Sequence, residues 1–169
     1  VEVIENISEI HRFQIGNSKK ISILKEKIGF QPRFTILYAG TFGHVNGIDY
    51  VIDLAHKLIY LDPSIIFVLI GDGAKKKSVI QKAIDKEVLN KNVYILDPVS
   101  KLELPQLYFE CDMGSSFVIP VKELWANSAN KFFDSLASGR PILINYKGWQ
   151  KEVISKKNIG YVLPVAIND

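Results

Sequence analysis

The stretch Asn127-Ser-Ala-Asn-Lys131-Phe-Phe-Asp134-Ser-Leu-Ala-Ser-Gly139-Arg-Pro141-Ile-Leu-Ile144 reads as a polar loop, a short helix, a stop and a strand. Asn127 or Ser128 is the expected N-cap, because a side-chain oxygen there can accept a backbone N–H of the first turn. Phe132, Phe133, Leu136 and Ala137 supply an apolar face. Gly139 suits the left-handed position after the last turn, and Pro141 keeps the helix from resuming. Lys131 disagrees with this pattern. It lies in the first turn, where the helix dipole disfavours a cation by about 0.3–1 kcal/mol and a capping box would place Glu or Gln. A lysine beside unpaired N–H groups makes sense if an external anion such as phosphate sits there. Asp134, three residues on, shares its face, and the pair could hold a diphosphate and a ribose hydroxyl. The plain alternative is a solvated lysine in an exposed ion pair, worth little.

The same alternation continues on both sides of this unit. Phe34 to Ala39 and Ile65 to Ile70 are continuous apolar runs, read as buried strands. Between them, Ile48, Val51, Ile52, Ala55, Leu58 and Ile59 recur at helical spacing, with Asn46 as the expected N-cap. Further elements are expected at Ser22 to Gly29 (helix), Ala74 to Lys86 (basic helix), Asn92 to Leu96 (strand) and Leu104 to Cys111 (helix). Met113 to Ile119 (strand or extended segment), Lys151 to Lys156 (helical turns) and Gly160 to Leu163 (strand) complete the series. Apolar strands alternating with amphipathic helices predict an α/β fold, a doubly wound parallel sheet covered on both faces. The expected organisation is a linker and N-terminal extension over residues 1–33, including a short β-branched run at Val1 to Ile4, and a Rossmann-like domain over 34–169.

Composition limits the function. The chain has 169 residues, 47% of them hydrophobic and 23% charged, which suits one globular domain with a sizeable core. A net charge of +3 with dispersed lysines gives no nucleic-acid stripe. No apolar run is long enough for a membrane span, and no signal-peptide pattern is visible. The first residue is not Met, which reads as an excised fragment. Cys111 is the only cysteine, so disulfides are excluded, and its apolar neighbours predict a buried, inert thiol. Histidines at 11, 44 and 56 form no obvious metal set. In a parallel sheet, ligands bind outside the carboxyl ends of the strands. The loops there are Gly40 to Gly47, which could bring backbone N–H groups to phosphate, and the turn Gly71-Asp72-Gly73. Neither matches a dinucleotide fingerprint or a Walker loop, and each alone is equally a plain strand-to-helix turn. Trp125 and Trp149 either roof the cleft or belong to the core.

In this order the loops resemble the C-terminal, nucleotide-sugar-binding half of the GT-B retaining glycosyltransferases of group 1, also called family 4. The matching stretches are Tyr38-Ala-Gly-Thr-Phe-Gly43, Leu69-Ile-Gly-Asp-Gly73, Asn92-Val-Tyr-Ile-Leu96, Cys111-Asp112, Asn130-Lys131-Phe-Phe-Asp134 through Pro141, and Glu152-Val-Ile154. Val3-Ile-Glu-Asn-Ile7 resembles the family's interdomain linker. The Asn-Lys-Phe-Phe-Asp form is similar to a branch associated with bacterial surface-polysaccharide synthesis.

The resemblance implies roles residue by residue. Asp134 would contact ribose. The start of the helix at Ser128, Ala129 and Asn130 would bind diphosphate, with Lys131 adding charge. Gly40, Thr41 and Gly43 would lie near the donor phosphates, with Gly71 in the next loop, and Asp97, Pro98 and Val99 would meet the base through backbone groups. It also implies a UDP-sugar donor, with a GDP-sugar as the alternative, retention at the anomeric carbon, no cofactor and no metal. The implied partner is a missing N-terminal acceptor domain, in a cytoplasmic enzyme that allows peripheral membrane association. Two positions depart from the family. Its paired glutamates stand eight apart, but Ala126 fills the first position, Asp134 the second, and Glu123 lies three residues too early. The usual lysine of the first loop is replaced near Asn46, leaving Lys131, backbone N–H groups or Arg140 to meet the phosphate charge. The competing readings are a GT-B-like epimerase or phosphorylase domain and a doubly wound interaction module.

Overall fold

The computed structural model describes residues 8–14 and 22–167. The expected strand end at Val1 to Ile4 and the linker-like Val3 to Ile7 lie outside them. Six strands, β1 (Phe34–Ala39), β2 (Ile65–Ile70), β3 (Val93–Leu96), β4 (Met113–Ser116), β5 (Ile142–Ile144) and β6 (Gly160–Val162), form one sheet. Its order is β3-β2-β1-β4-β5-β6, and every pairing is parallel. This is the doubly wound fold anticipated from the alternation of elements. The chain runs outward from β1 in one direction and then from β4 in the other, so the topological switch point, where such sheets bind ligands, is the β1–β4 gap.

Side chains alternate across the pleat. Ile36, Tyr38, Phe67 and Leu69 face a core built with α3 (Ile48–Leu61) and α4 (Lys76–Asp85). Leu37, Ile66, Val68 and Ile70 face the other side, with Leu107 and Tyr108 of α5 (Leu104–Glu110). Ile48, Val51 and Ile52 of α3 are fully buried, each contributing about 1.5–3 kcal/mol relative to exposure. A third cluster joins Phe132 of α6 (Asn130–Ala137) to Ile142, Ile144 and Ile154, the last from α7 (Trp149–Lys157).

The segment before β1 packs on this body. Phe13 of α1 (Ile10–Gln14) meets Tyr108 edge-on at 5.8 Å. Leu24 of α2 (Ile23–Ile28) is buried beside it. The Glu110 carboxylate accepts from the Ile23 and Leu24 N–H groups and from the Ser22 hydroxyl, closing the start of α2.

Several boundaries differ from the sequence expectations. The basic helix begins at Lys76 rather than Ala74, and only Met113–Ser116 of the fourth apolar run pairs in the sheet. The last helix starts two residues early, at Trp149. The N-cap of α3 is Gly47, without a side-chain bond, rather than Asn46. Asn46 instead turns its Oδ1 back over Gly43, where a Cβ would come within 2.8 Å.

Candidate functional site

The site begins where β1 and β2 end. Their loops are zipped together: Gly40 N–H donates to Ile70 O at 2.9 Å, Phe42 N–H to Asp72 O at 2.8 Å, and Lys75 N–H to Phe42 O at 2.9 Å. Phe42 is wholly buried. This contact explains Gly71, whose φ is +153° and whose Cβ would stand 1.9 Å from Gly40 O. It also corrects one expectation. The N–H groups of Gly40 and Phe42 are committed to the neighbouring loop, so the glycine loop is not a fully open cradle for phosphate. Gly43 lies further along, under Asn46.

What the zipped loops leave is a cavity of about 360 Å³, lined by Ala39, Gly40, Thr41, Gly71, Val99 and Leu104 among others. Four of the expected site residues, Gly40, Thr41, Gly71 and Val99, are therefore brought together, and Pro98 with them. Asp97 turns away: it is exposed and accepts from Lys76 Nζ at 2.6 Å. That bond holds its carboxyl below the ordinary value.

Helix α6 enters this edge from the β4 side. Gly114 of β4 lets it approach, since a Cβ there would meet Ser135 Oγ at 2.3 Å. At its far end, Gly139 adopts φ +68°. The Gly139 N–H donates to Leu136 O and the Arg140 N–H to Ser135 O, the paired closure that a left-handed glycine permits. Its near end is different. Ala129 is the N-cap and makes no side-chain cap bond, and the first turn carries no acid. Neither Asn127 nor Ser128 takes the expected role. Asn127 donates from its amide to Leu124 O, and its own carbonyl accepts from Trp149 Nε1 and Gln150 Nε2, both at 3.2 Å.

Lys131 projects from this first turn toward the glycine loop. Its Nζ lies 5.1 Å from the centre of the Tyr38 ring, and a Cβ on Gly40 would come within 2.9 Å of it. Among the described residues it has no ion-pair partner. Burial lowers its pKa, against the nearby charge of Asp134. Asp134, one turn deeper, is half-buried and accepts from the Ser8 hydroxyl at 2.7 Å. Burial pushes its carboxyl up, opposed by the Ser8 bond and by Lys131. A second cavity of about 230 Å³, sharing Leu104 with the first, is lined by Ser8, Arg12, Lys101, Asn130 and Asp134 among others. The Lys131 ammonium stands by Gly40, where an anion fits. Asn130, the first residue of α6, lines the second cavity together with Asp134, whose carboxylate suits a hydroxyl donor.

Other expected groups lie elsewhere. Arg140 sits at the C-terminal end of α6, donating to Phe109 O and stacking on the Phe109 ring at 5.3 Å, far along the helix from Lys131. Glu123 and Ala126 occupy a short 3-10 helix, Lys122–Ala126, and both are exposed. Trp149 stacks on Phe133 and packs edge-on to Phe132. Trp125 joins the same cluster, so both tryptophans support α6 from below rather than roofing the cleft. Cys111 is buried, its thiol pushed up to about 12. Three contributors were not anticipated: Tyr38 under Lys131, Leu104 between the cavities, and Ser8 on Asp134. Only Tyr38 had a local signal, as a hydroxyl-bearing aromatic near the carboxyl end of a largely apolar strand.

The sequence profile of the family described as Glycosyl transferases group 1 matches residues 20–169. No curated protein matches the chain. Among solved structures, HepE from Anabaena, crystallised with UDP and glucose, superposes with a TM-score of 0.76 at 19% identity, over 98% of this chain and 44% of HepE. WaaG, a glycosyltransferase involved in lipopolysaccharide biosynthesis, gives 0.71 at 18%, over 97% of this chain and 42% of WaaG. The C-terminal domain of the group 1 protein LpcC from Francisella tularensis gives 0.66 at 17%, over 91% and 80%. The chain thus spans less than half the length of HepE and WaaG.

Proposed function

Because the chain belongs to the group 1 glycosyltransferases, we propose that it is the donor-binding half of a transferase, taking a UDP-sugar and delivering the sugar to a glycan or lipid-linked acceptor. The observation that carries this reading is Lys131, an ammonium without an ion-pair partner among the described residues, in the first turn of a helix whose N-cap is Ala129, directly over Gly40 at the sheet's switch point. The departing diphosphate gains negative charge as the glycosidic bond breaks. Fixed dipoles and a preplaced cation stabilise such charge without reorganising. Lys131 and the first turn of α6 take that role, with no metal or cofactor. Asp134 accepts from the ribose hydroxyls, and the cavity between Thr41, Gly71 and Val99 takes the base. The lysine that the family keeps in the first loop is thereby replaced, in function, by one on α6.

Acceptor binding belongs to a second half outside this sequence, so this chain binds nucleotide and does not transfer sugar by itself. Bacterial surface-polysaccharide synthesis, at the cytoplasmic face of the membrane, is the setting we assign to the parent enzyme. The UDP complex of HepE and the lipopolysaccharide role of WaaG support these assignments. Among the described residues no helix is long and apolar enough to cross a membrane. A thermal-shift panel of UDP, GDP, ADP and CMP tests the reading, because a ligand of the native state raises stability by mass action. UDP should give the largest rise. A flat response to all four would overturn donor binding, and a larger rise with GDP would overturn the base assignment.

A further inference from the structure

Ser8 reaches Asp134 across 126 residues of sequence, and nothing in the nucleotide reading uses it. Its place is set by α1, which docks through the buried Phe13 against Tyr108. The neighbouring Glu9–Arg12 pair is solvated and adds little. We propose that Ser8 is a positioning residue for Asp134, fixing one carboxylate oxygen so that the remaining acceptor sites face the ribose diol, and thereby making nucleotide affinity depend on the docking of α1. The proposal rests on the reading of Asp134 as the ribose contact.

The chemistry of the bond favours this role. A hydroxyl contributes one hydrogen, and an ionised carboxylate offers about four acceptor sites. One Ser8 bond fixes the rotation of the carboxylate and leaves enough sites for two ribose hydroxyls. A lysine or arginine in its place would neutralise the acceptor. The bond also opposes the burial that pushes the Asp134 carboxyl up, helping to keep it ionised. The other groups facing it are Lys131 on its own helix, Glu9 and Arg12 from the α1 side, and Lys101 and Tyr108 from the α5 side.

Calorimetry of UDP and 2′,3′-dideoxy-UDP against the full chain, Ser8→Ala, Ser8→Thr and Asp134→Asn, at several pH values, tests the idea. Ser8→Ala should weaken UDP about two- to tenfold, the fold-change of one lost hydrogen bond, and leave the dideoxy analogue nearly unchanged. Ser8→Thr should restore UDP affinity. The pH at which UDP affinity falls off on acidification should rise in Ser8→Ala. Tighter UDP binding by Ser8→Ala would show the hydroxyl to be a competitor for the ribose site and overturn the proposal. Equal weakening of both ligands, or no recovery with threonine, would also overturn it. If Asp134→Asn loses discrimination between the ligands while Ser8→Ala keeps it, only the role of Ser8 fails. If Asp134→Asn also keeps it, the ribose reading fails with it.

Discussion

Replacing Lys131 by methionine separates a ligand lysine from a structural one. Methionine keeps much of the side chain's length and apolar bulk and removes the charge. A lysine on a phosphate makes a charge-assisted bond of about 1.5–3 kcal/mol, so UDP should bind about 10- to 150-fold more weakly. Uridine should be nearly unaffected, since it places no charge near Lys131. Residual UDP binding is expected, because the α6 dipole still contributes about 0.3–1 kcal/mol toward an anion. Stability should move the other way. Burial lowers the Lys131 pKa in the folded protein, so the charged form is penalised there relative to the unfolded chain. That penalty is fully present at pH values below the folded pKa and fades as pH rises past it toward the unfolded value. Methionine removes the penalty and forfeits the contact with Tyr38, about 0.5–1 kcal/mol for such a pair. The melting temperature of the nucleotide-free variant should therefore hold or rise. Calorimetry with UDP and uridine, paired with thermal melts, reads both quantities. A lowered melting temperature with equal losses for UDP and uridine would refute the reasoning.

Asp134→Asn should cost UDP roughly 1–3 kcal/mol, the range for a mispaired buried polar group, and the loss should shrink with 2′,3′-dideoxy analogues in the same titration. Because burial raises the Asp134 pKa, the penalty on the folded carboxylate builds up as pH rises from the unfolded value and is complete above the folded one. The asparagine variant should thus be no less stable at neutral pH, while wild-type UDP affinity should fall on acidification through the same range. Gly71→Ala must accommodate φ +153° and a Cβ 1.9 Å from Gly40 O, so urea denaturation should show a loss of roughly 2–6 kcal/mol. Gly139→Ala, at φ +68° with nothing within 4 Å, should lose only about 1–2 kcal/mol. Cys111 should resist iodoacetamide at pH 8 until the protein unfolds, given its burial and a thiol pKa of about 12; rapid labelling of the native protein would contradict its placement.

The sheet was legible because its strands are buried on both faces. Phe34–Ala39 and Ile65–Ile70 carry apolar residues at nearly every position, and only a central parallel strand needs that. The stop at Gly139 was equally readable, since a left-handed residue between a helix and Pro141 has few other meanings. The caps were not. Asn127 and Asn46 have the right chemistry, but each side chain turns back three residues instead of capping: the Asn127 amide donates to Leu124 O, and Asn46 Oδ1 folds over Gly43.

The site divides the same way. Lys131 announced itself by sitting where the dipole opposes it, and the structure sets it over Gly40 as a shared site requires. The occupation of the Gly40 and Phe42 N–H groups by the adjacent loop was invisible, because it depends on β2 lying beside β1. Arg140 looked like a phosphate cation from its charge alone; eight helical residues put it at the opposite end of α6. Ser8 meets Asp134 only through the docking of α1, which neither residue's neighbourhood in sequence describes.

The central claim is that the start of α6 and Lys131 form the diphosphate site. A crystal structure of this chain with UDP tests it most directly. The account predicts a phosphate oxygen about 2.7–2.9 Å from Lys131 Nζ at the first turn of α6, with the base against Val99 and the ribose on Asp134. UDP bound with its phosphates away from α6, or with Lys131 still stacked on Tyr38 and unengaged, would contradict it.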